Sequence, residues 1–176
     1  MKKIILYIAM SLDGYIADHN GQVDWLQGQD DQVTMIDTYS PFIKNIDTII
    51  MGYKTYHQII TQLAPDNWVY QQQTSYVITH RQLSSTDNII FTSKSPSQIV
   101  FELKKQPGKD IWICGGANII NQLMKDNLID EYYITIIPTI LGSGIRLFDS
   151  IFNEIRLKLI HQQTYNGIIE LIYTRC

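Results

Sequence analysis

Three β-rich stretches carry apolar side chains on consecutive rather than alternate positions: "KIILYIA" (3–9), "DTIIM" (47–51) and "DIWIC" (110–114). A strand with one wet face alternates apolar and polar residues. A run without alternation fits a strand covered on both faces, as in a parallel sheet between two helical layers. Helical patterns lie between such runs. "YKTYHQIITQ" (53–62) leads with Ile59, Ile60 and Leu63 to one side, and Ser95-Pro96 opens a helix carrying Ile99, Val100 and Leu103. "ANIINQLMKDN" (117–127) reads as a third helix, and a weak one runs from Asp31 to Ser40, disturbed by Pro41. Further strands are "SYVIT" (75–79), "NIIFT" (88–92) and "DEYYITIIP" (130–138). At the C-terminus, "EIRLKLIHQQTY" and "GIIELIYTR" flank Asn166-Gly167, a strong hairpin signal. The expected fold is therefore α/β: a three-layer α-β-α domain over residues 1–176. Its mixed sheet has about eight strands, mostly parallel, closed by an antiparallel hairpin.

Composition narrows the function classes. The net charge is −3 with no basic stripe, which argues against nucleic acid as a partner. Cys114 and Cys176 form no C-x-x-C pattern, so neither a disulfide framework nor a zinc site is expected, and a reducing cytosol suits the chain. The apolar run after Lys2-Lys3 stops before Ser11, and Asp13-Gly14 break it where a secretory signal would continue. No apolar stretch approaches the ~18 residues of a membrane span.

In an open α/β sheet the ligand sits outside the carboxyl ends of the strands. Those ends read "MSLDGYIAD", "GYKTYH", "HRQLSS", "SKSPS", "GGAN" and "PTILGSG". Gly, Ser, Thr, Lys and Arg recur there, and these types bind phosphate through backbone N–H groups, hydroxyls and cations. Gly115-Gly116 stands where a strand hands over to a helix, leaving the backbone bare beside unpaired helix N–H groups. A tight turn is the competing reading. The stretch is neither a Walker A loop nor G-x-G-x-x-G, and it follows the fifth strand rather than the first.

The chain resembles the dihydrofolate reductase-like superfamily, nearest the branch that holds the reductase domain of bacterial riboflavin biosynthesis enzymes. "AMSLDGYIA", "IIMGYKTYHQI", "YVITHR" and "IWICGGANIINQLMKDNLIDEYYITIIPTILGSGIRLF" carry the likeness, in shared order and spacing. The resemblance implies an NADPH-dependent reductase, cytoplasmic and homodimeric, with a small-molecule substrate. It places the pyrophosphate on Cys114, Gly115, Gly116, Ala117 and Asn118, with an unusual cis bond between the two glycines. Gly52, Lys54 and Thr55 would bind phosphate as well. Thr79, His80 and Arg81 would surround the 2′-phosphate, Lys94 and Ser95 would lie near the adenine, and Ala9, Ile16 and Ala17 would meet the nicotinamide. Tyr53 stands where the family commonly has a phosphate-binding Arg.

For proton supply, the resemblance offers Asp30 with Thr135 as its partner; a solvated turn is the competing reading of Asp30. Asp13 reads as a turn residue, His57 as a surface residue, and Cys114 as packing rather than a nucleophile. The riboflavin branch binds its substrate phosphate through an Asp-x-Pro and an Arg that are absent from "TYHQIITQLAPDNWVYQQQ". Trp68–Gln73 in that stretch reads as a flap or a subunit contact. Dihydrofolate reductase and a non-catalytic NADP-binding protein remain the alternatives.

Overall fold

The computed structural model describes residues 2–34, 36–148 and 154–176. In chain order its elements are β1 (Ile4–Ser11), β2 (Tyr15–Ala17), α1 (Tyr39–Ile43), β3 (Ile46–Gly52), α2 (Tyr53–Gln58), β4 (Thr74–Ile78), β5 (Ile89–Thr92), α3 (Pro96–Leu103), β6 (Asp110–Gly115), α4 (Ala117–Lys125), β7 (Glu131–Ile137), β8 (Ile145–Arg146), β9 (Leu157–Tyr165) and β10 (Ile168–Arg175). Eight strands form one sheet in the order β5-β4-β3-β6-β1-β7-β10-β9. The pairs from β5 to β7 are parallel; β10 pairs antiparallel with both β7 and β9.

The non-alternating runs have a simple cause. Successive strand side chains point to opposite faces, and here both faces are covered. Ile4, Leu6, Ile50 and Ile113 pack under α3 and α4, against Ile99, Val100, Leu103, Ile120 and Leu123. Ile5, Ile49, Met51, Val77 and Trp112 pack on the other face, against Phe42 of α1 and Ile59. α3 starts as its sequence indicates: Ser95 accepts from the Gln98 N–H, the Gln98 side chain returns a bond to the Ser95 N–H, and Pro96 is at the first position. Asn166 and Gly167 have φ of 47° and 74°, the pair of positive values a two-residue hairpin turn needs.

Two expectations change. The helix expected over Asp31–Ser40 is instead the five-residue α1, with Pro41 inside its first turn. Proline is tolerated there because the first N–H groups of a helix have no intrahelical partner. α2 runs on into a π-helical turn at Ile59–Leu63, closed by the Ala64 N–H on the Ile59 carbonyl at 2.8 Å. The small sheet of β2 with β8 has no counterpart in the sequence reading.

Asp13 ties that small sheet down, as its turn reading suggested. Its carboxylate accepts from Ser11 Oγ (2.6 Å) and from the N–H groups of Leu141 (3.1 Å) and Gly142 (2.7 Å). The Ser11 hydroxyl, then the two backbone donors, lower its pKa from 3.8 to about 2. A depressed carboxylate pKa stabilises the fold above the unfolded value and loses that contribution as pH falls through the folded one. Acid unfolding of Asp13→Asn should therefore be less steep than wild type between about pH 4 and pH 2. Superimposable acid limbs, followed by circular dichroism, would show that Asp13 ties nothing.

Candidate active site

β3 and β6 are neighbours, yet the chain leaves their carboxyl ends in opposite directions. After β3 it enters α2 on one face of the sheet, and after β6 it enters α4 on the other. Such a divergence opens a crevice at the strand ends. Met51 is the Cα partner of Gly115 at its rim.

Four expected site residues meet there. The Gly115–Gly116 peptide is cis, as the family resemblance implied, and Gly115 has φ of 128°, which side-chain-bearing residues rarely adopt. A methyl group added at Gly116 would stand 3.5 Å from Thr55 Oγ1, and one at Gly115 3.9 Å from the same atom. Gly52 precedes α2 and lies beside Ile119 and the Gly116 nitrogen. Gly116 is the N-cap of α4 and makes no side-chain capping bond. The first turn of α4, from Ala117 and Asn118, thus presents backbone donors and the positive end of the helix dipole into a cradle without side chains. The Asn118 side chain is engaged with Gln122 at 2.5 Å. Lys54 is exposed on α2. The Cys114 thiol is pushed up to about 12 by burial, which suits packing against Tyr70 at 3.9 Å rather than nucleophilic work.

Beyond β4, Thr79, His80 and Arg81 line a polar hollow with Ser84, Thr92 and Ser93. Thr79 Oγ1 accepts the Arg81 N–H at 3.1 Å. The Arg81 guanidinium lies 4.5 Å from the centroid of the Tyr53 ring. The residue that stands in place of the family Arg is therefore a platform under the remaining one. Lys94 is paired with Glu102 at 2.7 Å, and Ser95 caps α3.

A separate cleft of about 510 Å³ lies over β1, β7 and β10 on the α1 face of the sheet and reaches the amino ends of β6 and β7 at Asp110 and Glu131; its size is within the usual range for small-molecule sites. Its walls are Tyr7, Phe42 and Tyr133; the Tyr7 and Phe42 rings stack with centroids 4.2 Å apart. Ala9, on the same face of β1 as Tyr7, has Thr135 as its Cα partner in β7, and Thr135 has Glu170 as its partner in β10. Ile16 and Ala17 lie on β2, half-buried and buried.

Glu170 is the carboxylate the structure brings to Thr135. Its Oε1 accepts from Thr38 Oγ1 (2.7 Å) and the Tyr165 hydroxyl (2.8 Å), and its Oε2 from Gln163 Nε2 (2.5 Å). Thr38 gives its one hydrogen to Glu170, so its oxygen accepts from the Tyr7 hydroxyl at 3.2 Å. Burial pushes the Tyr7 phenol up, keeping it a donor. Asp30 does not share this place. It is exposed, outside the cleft lining, accepting the Gln32 N–H at 2.8 Å while its backbone bonds the Asn166 side chain. That is its turn reading, and the expected Asp30–Thr135 pair is replaced by Glu170 beside Thr135. One signal pointed to Glu170: it is an acid inside the apolar run "GIIELIY".

Comparison with known proteins matches residues 2–169 to the RibD C-terminal domain. The uncharacterized protein YwjB of Bacillus subtilis is 39% identical over 180 residues, covering 99% of this chain and 98% of that one. A Shewanella sp. PV-4 crystal structure superposes with a TM-score of 0.86 at 26% identity, covering 99% of both chains. The Thermotoga maritima diaminohydroxyphosphoribosylaminopyrimidine deaminase/5-amino-6-(5-phosphoribosylamino)uracil reductase has a TM-score of 0.72 at 15% identity, covering 99% of this chain and 57% of that one.

The platform role of Tyr53 makes a distinct expectation. Tyr53→Leu should weaken binding of adenosine 2′,5′-bisphosphate about two- to fivefold, while Tyr53→Phe, which keeps the ring face, should not. Equal affinities of the two variants by calorimetry would deny the platform.

Proposed function

The chain belongs to the RibD C-terminal domain family, which has the dihydrofolate reductase-like fold and whose members bind NADP(H), and on that premise we propose that it is an NADPH-dependent reductase. Its substrate in this reading is a small heterocycle or imine-bearing metabolite of pyrimidine or pterin type. The observation that carries the reading is the convergence of Gly52, Thr55, Gly115 and Gly116 at the start of α4.

The residues fit the cofactor. The glycine pair and the first turn of α4 receive its pyrophosphate. Arg81, steadied by Tyr53, faces the 2′-phosphate with a fork of donors. Ala9, the Cα partner of the cleft-lining Thr135, would meet the nicotinamide together with Ile16 and Ala17. When bound, the cofactor supplies a hydride. The chain's own part is to hold the acceptor ring against the aromatic wall and to orient it by fixed polar groups. Glu170, held by three donors, keeps the Thr38 and Tyr7 hydroxyls pointing one way, so Tyr7 is aimed and cannot turn freely.

The homodimer belongs to the same proposal. β9 is a sheet edge with Leu159 and Ile160 exposed to 44% and 57%, and an uncovered apolar edge is a liability that a second copy removes. Sedimentation velocity tests it directly.

Arg81→Ala should weaken NADPH about ten- to hundredfold and leave NADH nearly unchanged, read by quenching of tryptophan fluorescence. Parallel losses for both nucleotides would remove Arg81 from the 2′-phosphate.

A further inference from the structure

The electrostatic character of the cleft says which acceptors fit, provided that the cleft receives the acceptor as proposed above. Four carboxylates line it: Asp37, Asp110, Glu131 and Glu170. Against them stand Lys3 and His161, and Lys3 is already committed to Glu131 at 2.6 Å. Asp37 stays ionised, because hydrogen bonds from Ser40 hold its carboxyl below the usual range.

Of the neighbouring cations, Lys44 is exposed, stands outside the lining and acts on Asp37 from the rim; most of the others are taken. Lys104 and Arg175 are held by Asp130, Lys2 by Asp47, and Lys109 bonds the Lys44 carbonyl. Lys158 shares the cleft's face of the sheet and pairs with Thr174, which is also the partner of Glu131, so it is level with Glu131 at the end of the cleft away from Glu170. A phosphate monoester carries nearly two negative charges. It would enter a lining of net negative charge with no free ammonium or guanidinium among the lining residues. A flat ring meets the reverse situation: the Tyr7–Phe42 stack to lie against and carboxylate oxygens to accept its N–H groups. A carboxylate has about four acceptor positions, and Glu170 uses three, leaving one on Oε2.

We propose that this cleft takes an unphosphorylated, neutral or cationic aminopyrimidine-type ring bearing N–H donors, and rejects the phosphorylated aminouracil named for the Thermotoga enzyme. The rejection comes from Asp37, Asp110 and Glu170, the lining carboxylates that no lining lysine pairs, and the recognition from Glu170.

The test uses the full chain saturated with NADP+, so that no turnover occurs. 5-Amino-6-ribosylaminouracil and its 5′-phosphate are titrated by anaerobic calorimetry into wild type and Asp37→Asn. The nucleoside should bind about tenfold or more tighter than its phosphate, as like-charge juxtaposition requires. Asp37→Asn should narrow that gap by improving the phosphate alone, which loss of a merely structural bond would not do. Equal or tighter binding of the phosphate overturns the proposal. Failure of both probes, with NADP+ bound, overturns this substrate class and leaves the cofactor assignment standing. Failure to bind NADP+ at all brings down the reading beneath it.

Discussion

The site depends on one parallel seam, β3 against β6. Their register sets Met51 beside Gly115, so two strand ends more than 60 residues apart in sequence finish level. From that point α2 and α4 depart to opposite faces. The crevice between them is a consequence of handed crossovers in a parallel sheet rather than of any one side chain. Gly115 is fixed as glycine by its φ of 128°, whereas a methyl group at Gly116 or Gly52 would make only ordinary contact, 3.5 Å from Thr55 or Ile119. A bulky residue at Gly116 would crowd Thr55 and close the backbone donors of α4.

The crevice and the cleft differ in electrostatic kind. The crevice offers backbone N–H groups, a helix dipole and the Arg81 guanidinium, all suited to anions. The cleft is acidic and aromatic. Between them runs a layer of rings: Trp68 packs edge-on against Tyr70, and Tyr70 against Trp112, each pair with centroids 5.3 Å apart. Trp112 in turn donates its indole N–H to the Tyr7 carbonyl at 3.0 Å. Trp68 and Tyr70, read from the sequence as a flap or subunit contact, are instead part of this inner layer. On the proposed reading, the division would let one chain hold a highly charged nucleotide and still keep phosphate away from the acceptor position.

Much of this was legible in the sequence because periodicity and punctuation report burial and turns directly. The consecutive apolar residues of β1, β3 and β6 required two covered faces, Ser95-Pro96 required a helix start, and Asn166-Gly167 required a hairpin. The glycine pair announced a bare backbone at the end of a strand. What failed to show were directions. Asp30 sits at a suggestive spacing after Trp25, but spacing within an irregular loop does not fix where a carboxylate points, and local bonds with Gln32 and Asn166 decide it. Glu170 reaches Thr135 only through the pairing of β10 with β7, a long-range register that a single strand's sequence does not encode. Tyr53 read as a lost cation, because its contact with Arg81 joins two segments 28 positions apart.

The most direct measurement is a 1H–15N correlation spectrum of the full chain, recorded before and after adding NADP+. The backbone amides of Gly115, Gly116, Ala117 and Asn118 should move together with those of Thr79–Arg81 and of Ala9. Shifts at these amides alone would locate the nucleotide along the β3–β6 crevice. Unmoved glycine amides, or shifts confined to the acidic cleft around Glu170, would contradict the account and return Gly115-Gly116 to a turn between a strand and a helix.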